Sequence, residues 1–224
     1  MKAIVVTDQA AGTAGMTLVE RPEPQAAIND VVVQVHASGF VPTELAWPST
    51  WTDRLDRDRT PSIPGHELAG VVTALGYGTR GLSVGQRVFG LTDWHRDGTL
   101  AEYAAVEARN LAPLPGDVDF TVGASLPISG LTAWQGLFEH GRLQAGQSVL
   151  VHGAAGAVGS MVTQLARGSA PTSSAPDALR TVRRRLTSAP TSSWTSRTTI
   201  SKMSVASIWC SMSSAATSGS GPQA

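Results

Sequence analysis

Residues 148–160 read SVLVHGAAGAVGS, and their reading decides the second half of the fold. SVLVH is a short apolar run of buried-strand type. It leads at once into glycines at 153, 156 and 159 and then into a helical stretch that continues to Arg167. A strand, a glycine turn and a helix in this order form the opening unit of a dinucleotide-binding fold. The turn must let backbone approach a diphosphate closely, with the N–H groups at the helix end and the helix dipole facing the negative charge, and a side chain would obstruct that approach. Gly153, Gly156 and Gly159 are therefore candidate cofactor-binding residues. Ala154, Ala155, Ala157 and Val158, the turn's other small or apolar positions, join them. A tight strand-to-helix turn in an α/β protein with no nucleotide is the plainer alternative.

Upstream of this turn the chain changes character. Residues 2–7, 30–36 (DVVVQVH), 68–75 and 86–91 are short and rich in β-branched residues, with Gly and Pro between them, which predicts a compact β-barrel. Residues 41–64 carry few strand signals and a charged run, DRLDRDR, and read as a long surface excursion with a solvated face. Beyond Asn110 the spacing becomes helical, Pro113 and Pro115 mark the break, and residues 119–139 read as a helix or helix pair. The expected class is mixed α/β: a barrel over residues 1–118, the start of a doubly wound domain over 119–167, and an irregular tail over 168–224.

Composition narrows the function. Lys+Arg and Asp+Glu stand at 17 each, so no net field gathers phosphate backbones or anionic lipid, and nucleic acid is excluded as an expected partner. Residues 120–138 are uncharged but too rich in Gly, Pro and hydroxyl groups for a membrane span. The start lacks the basic and apolar regions of an export signal, and the sole cysteine, Cys210, allows no internal disulfide, so a cytoplasmic location is expected.

Several segments together carry a family resemblance: GHELAGVV at 65–72, GLSVGQRVFGL at 81–91, GTLAEY at 98–103, LPISGLTAWQGL at 126–137 and VLVHGAAGAVGS at 149–160. In this order they resemble the medium-chain dehydrogenase/reductases, and among them the zinc-free, quinone-oxidoreductase-like branch. The resemblance covers nearly all of residues 1–167. It implies a GroES-like barrel on the substrate side, a Rossmann domain holding a nicotinamide cofactor in the cleft between them, and Thr132 near the nicotinamide. Intact members of the family are often homodimeric.

Zinc is the main fork within that family. Its zinc alcohol dehydrogenases use a Cys, the His of a Gly-His-Glu motif and a further Cys or carboxylate, leaving a fourth position open. His66 and Glu67 match, but Val41 stands where the first Cys belongs, and no cysteine precedes Cys210. No metal is therefore expected, and His66 reads as a hydrogen-bonding loop residue. Without zinc the implied reaction is hydride transfer from NADPH to a quinone or an α,β-unsaturated carbonyl, whose conjugation lowers the barrier while the site offers donors to a developing oxyanion. Thr43 and Tyr103 are possible donors, and Trp47, Trp51 and Trp94 possible walls of a flat apolar site. No catalytic residue is assigned. A zinc-type alcohol dehydrogenase with atypical ligands, and a non-catalytic fragment or binding module, are the competing readings.

From Gly168 onward the composition turns to Ser, Thr, Ala, Pro and Arg. Trp209, Cys210, Ser211 and Met212 nearly fix their codons, and with G or C where the third base is free a one-base shift can turn residues 208–217 into Asp-Leu-Val-Phe-Asp-Val-Ile-Gly-Gly-Asp, a Rossmann-like strand and turn. The same shift gives family-like segments from residues 169–178 and 187–196. It places an Arg after the second strand, where a ribose 2′-phosphate would sit, favouring NADPH. The expectation is a tail out of frame from about Arg167, and weak or absent cofactor binding by the chain that carries it.

Overall fold

A computed structural model of the chain describes residues 1–168. The tail readings, with their decoded arginine, therefore lie outside the described residues, save for Gly168. The described elements fall into two compact units, one spanning Met1–Ile128 and one starting at Ser129.

The first unit contains seven strands: β1 (Lys2–Val5), β2 (Thr17–Glu20), β3 (Asp30–Gly39), β4 (Glu67–Leu75), β5 (Arg87–Leu91), β6 (Tyr103–Glu107) and β7 (Leu111–Pro113). All pairings are antiparallel. β1 and β2 form one small sheet, and the other five form a second in the order β6-β3-β4-β5-β7. The expected barrel is corrected here, because the sheets do not close. The five-stranded sheet ends on β7, three residues long and finished by Pro113, which has no N–H to donate. On the far side β1 meets the chain before β6 through an isolated bridge between Ala3 and Ala101 and hydrogen bonds from Ile4 N to Leu100 O and from Glu102 N to Lys2 O, without a strand ladder.

The run of valines in β3 is continuous because that strand is central. Val31 and Val33 join Leu68, Val72, Val88, Ala104 and Val106 in one core, all of them nearly inaccessible. Two register shifts, between Val32 and Val33 and between Val35 and Ala37, bend β3 against β4. At the bend Gly70 faces Val35, and the strands approach so closely that a Cβ at Gly70 would lie 2.0 Å from the Gln34 carbonyl oxygen.

Two further expectations are revised. Where helical spacing was expected to begin after Asn110, the chain first adds β7 to the sheet. The stretch over residues 41–64 is more than a surface excursion. Leu45, Ser49, Thr50, Ser62 and Ile63 are buried, and Thr50 Oγ1 donates to Glu44 O while Ser62 Oγ donates to Thr50 O, so hydroxyl groups satisfy its inward-facing carbonyls. Only its charged tip is a solvated face. There the Arg57 guanidinium and nearby backbone N–H groups hold the half-buried Asp53 carboxyl down at about 2.

Helix α1 (Pro48–Trp51) is one turn within this stretch. Helix α2 (Phe120–Ala124) starts where sequence placed it: Asp119 caps it, its carboxylate accepting from Thr121 N at 2.7 Å, and Ala124 packs on Ala69 and Leu114. Helix α3 (Pro127–Trp134) runs on as a π-helical segment (Gln135–His140), giving a helix pair over 119–139. Among the described residues no helix is long and apolar enough to cross a membrane.

In the second unit, helix α4 (Ala157–Gly168) forms after the glycine turn. The predicted strand at 148–152 does not: these residues are irregular, and Leu150 is largely exposed. A buried parallel strand is stable only between neighbours that take up its backbone groups, and among the described residues no such neighbour pairs with it.

Candidate active site

At the centre of the first unit lies a buried acid–imidazole pair. His66 Nδ1 stands 2.7 Å from Glu44 Oε2, with side chains 3% and 0% exposed respectively. Glu44 sits in a 3-10 turn (Pro42–Ala46) that Pro42 opens, and its Oε1 accepts from Val41 N at 2.9 Å. A buried carboxylate must be paired or neutralised, and here an imidazole and a backbone N–H do so. Two indoles close over the imidazole. Trp94 lies 4.6 Å and Trp47 5.5 Å from the His66 ring, and they meet each other nearly edge-on, at 81° and 5.3 Å.

The loop after β5 is held in place for this. Thr92 N donates to His66 O, and Arg96 forks onto the buried Asp30 carboxylate at 2.6 and 3.1 Å, an interaction that raises the guanidinium above its ordinary range. Arg54 pairs with Asp93, and Arg59 reaches the carbonyls of Ser49 and Trp94.

Glu67, the neighbour of His66, plays a separate part. Its Oε1 accepts from Ile128 N at 2.7 Å, in the first turn of α3. Its Oε2 lies so near Gly39 that a Cβ there would come within 2.4 Å of it. Burial pushes this carboxyl above its ordinary range, the Ile128 N–H opposes the shift, and the Glu44 carboxylate adds to it. A folded-state pKa raised in this way means that the stabilisation from protonated Glu67 is complete below the unfolded value and is lost as pH rises through the folded one. The variant Glu67→Gln keeps an acceptor for Ile128 N–H, so its stability relative to the parent should rise steadily as pH climbs from 4.5. Urea denaturation across pH measures this, and a difference independent of pH would refute it.

The residues singled out in the sequence fall in several places. Trp47 and Trp94 come together over His66, half-buried, whereas Trp51 donates from Nε1 to Leu45 O and serves as an anchor. Thr43 is exposed on the 3-10 turn. Tyr103 is half-buried on β6, bordering a cleft of about 610 Å³ that Arg21, Pro24 and Arg96 also line. Thr132 is buried on α3. Glu44 went unnoticed, although Pro-Thr-Glu-Leu places an acid in the first turn after a proline with a buried leucine beside it. Among the described residues no three His, Cys, Asp or Glu side chains gather as a metal cage.

In the second unit Gly153 adopts φ +69°, a left-handed conformation that glycine accepts without strain, and Gly156 N donates to its carbonyl at 2.9 Å. A Cβ at Gly159 would lie 2.1 Å from Gly153 O, so α4 packs directly on the bend. Space above Gly153 is open, and in the first turn of α4 the N–H groups of Ala157, Val158 and Gly159 have no acceptor within the helix. These features suit a diphosphate.

Comparison with known proteins agrees with this architecture. Residues 27–116 match the alcohol dehydrogenase GroES-like domain. A quinone oxidoreductase of Rattus norvegicus is 38% identical over 146 residues, 65% of this chain and 43% of that protein. A 2-methylene-furan-3-one reductase of Solanum lycopersicum is 42% identical over 115 residues, 48% of this chain and 29% of that one. Among solved structures, the quinone oxidoreductase of Thermus thermophilus, described with its NADPH complex, superposes with a TM-score of 0.60 at 33% identity, over 75% of this chain and 50% of that one. The chain thus spans less than half the length of these two curated relatives. With an open GroES-like sheet ahead of a glycine bend on a helix, the chain is similar in sequence and in fold to the quinone-oxidoreductase-like branch of the medium-chain dehydrogenase/reductases, and residues 27–116 carry the alcohol dehydrogenase GroES-like domain.

Proposed function

We propose that this lineage reduces quinones or α,β-unsaturated carbonyls with NADPH and without a metal, in two domains: a substrate domain over residues 1–118 and a nucleotide domain that opens at 119. The observation that carries this is the glycine bend seated on α4, with open space over Gly153 and free helix-end N–H groups at Ala157, Val158 and Gly159. Ala154, Ala155 and Gly156 complete the cradle, and Thr132 is assigned to the nicotinamide side. When bound, a nicotinamide supplies the hydride; the chain's own residues bind, orient and exclude water. Trp47 and Trp94 are assigned to the acceptor, with Thr43 at the rim.

Metal independence is supported by Val41, which stands where the family's first cysteine ligand belongs and provides no ligand atom. The choice of NADPH rests on the decoded arginine and on the NADPH complex described for the Thermus protein. The expected outcome for the purified chain is substoichiometric zinc, together with slow NADPH oxidation by 1,4-naphthoquinone that a chelator does not diminish. One zinc per chain, or activity abolished by chelation, would instead support the zinc-type reading.

A further inference from the structure

His66 holds one donor that the fold uses poorly. A backbone carbonyl can only accept, so in the tautomer that makes the contact between Nε2 and Trp94 O the proton sits on Nε2. On the ring's other side, 2.7 Å between Nδ1 and Glu44 Oε2 is the length of a strong hydrogen bond with one proton between the two atoms. That proton can be drawn on either atom and the tautomer at Nε2 is the same. Yet the Nε2 contact is 3.5 Å, the outer limit of a hydrogen bond, on a side chain only 3% exposed, where donors are normally well engaged. Trp94 O does not depend on it, since Arg59 Nη1 also reaches this oxygen at 3.4 Å. The donor therefore has a replaceable acceptor, a carboxylate behind it, and two half-buried indoles over its ring.

We propose that His66 Nε2–H is the hydrogen-bond donor to the acceptor's carbonyl oxygen, and that Glu44 is the positioning residue that fixes the ring and its tautomer. The proposal rests on the assignment of Trp47 and Trp94 to the acceptor side. A donor held in a dry, aromatic setting costs no reorganisation when negative charge grows on that oxygen, so its contribution is larger for the reduced oxyanion than for the ground-state carbonyl. The charged groups around the ring are Glu44 at Nδ1, Glu67 on the adjacent residue and Arg59 across the Trp94 carbonyl. Glu44 is the one in direct contact with it. The site would thus favour flat conjugated acceptors that place a carbonyl oxygen at the edge of the imidazole.

The test uses the whole chain and a series of phenols of one size but graded acidity, whose oxygen stands in for the reduced acceptor. In the parent, the NMR signal of the His66 Nε2 proton should move downfield in step with the basicity of the phenol oxygen, and affinity should rise along the same series. His66→Phe should weaken the most basic member by about 10- to 100-fold and flatten the series, as loss of a hydrogen bond to a charged oxygen requires. Glu44→Gln should give a smaller loss, because an amide can still hold the ring. A His66 signal unmoved at phenol saturation, no phenol binding, or an equal slope in His66→Phe overturns the proposal. The parent's own NMR response decides the matter even if the variants do not fold. NADPH titrated into the same samples reads the glycine bend separately, so a silent His66 beside responding glycine amides would sink this proposal alone.

Discussion

Replacing Glu44 by alanine is expected to lower the unfolding free energy of the first unit by about 3–5 kcal/mol, from two buried hydrogen-bond partners left unsatisfied and the cavity that the side chain leaves behind. Glu44 is fully buried, and its carboxylate answers both His66 Nδ1 and Val41 N. In Glu44→Ala both donors lose their acceptor in a place water does not reach, and a cavity opens beneath the 3-10 turn. The loss is not a measure of what the pair contributes, because taking two polar groups out of water is itself costly. Hence the double variant Glu44→Leu with His66→Phe should cost less than Glu44→Ala alone, with a coupling well above the scatter expected for independent sites. Chemical denaturation of the three proteins checks this. A change below about 1 kcal/mol in Glu44→Ala would show that the carboxylate is not the partner on which the loop depends.

The second large effect is expected at Gly70. Gly70→Val introduces a Cβ that would stand 2.0 Å from the Gln34 carbonyl oxygen and 2.8 Å from Val33 Cγ1. Neither neighbour can yield cheaply, since one is backbone in the adjoining strand and the other belongs to a core valine with no exposed surface. The strands must separate or the bulge at Val35 must rearrange, and a loss of about 3 kcal/mol or more follows, at or beyond the top of the usual range for overpacked cores. Thermal unfolding would register it as a large drop in midpoint. A Gly70→Val protein as stable as the parent would mean that β3 and β4 are farther apart than described.

The strands that sequence located best are those whose burial leaves an unambiguous mark. DVVVQVH became β3 because a central strand tolerates apolar residues at every position, and the stretch read over 68–75 became β4 beside it, starting one residue earlier at Glu67. Thr17–Glu20 and Tyr103–Glu107 were not anticipated, since short strands at a sheet's margin alternate weakly and take their conformation from pairing with β1 and β3. The closed barrel was over-read for the same reason: alternation along a strand reports one buried face and carries no record of which edges meet. SVLVH was legible as a strand by composition, yet the chain there is irregular, because a strand of that kind exists only through its neighbours.

In the site, the glycine bend was legible because conformation dictates residue type there, as Gly153 and Gly159 show. The indoles of Trp47, Trp51 and Trp94 were grouped from sequence as walls of one site; Trp47 and Trp94 do meet, while Trp51 turns to the Leu45 carbonyl instead. Glu44 was missed for a physical reason. Its partner lies 22 residues away, and a single acid among neutral residues looks like solvent-facing charge until the fold buries it.

That the bend receives the cofactor's diphosphate is most directly tested by the backbone amide signals of Gly153, Ala154, Ala155, Gly156, Ala157, Val158 and Gly159 during an NADPH titration. The account predicts concentration-dependent shifts centred on Gly156–Gly159, weak in affinity and lost in Gly159→Val. Shifts confined to other parts of the chain, or none at these amides, would contradict it.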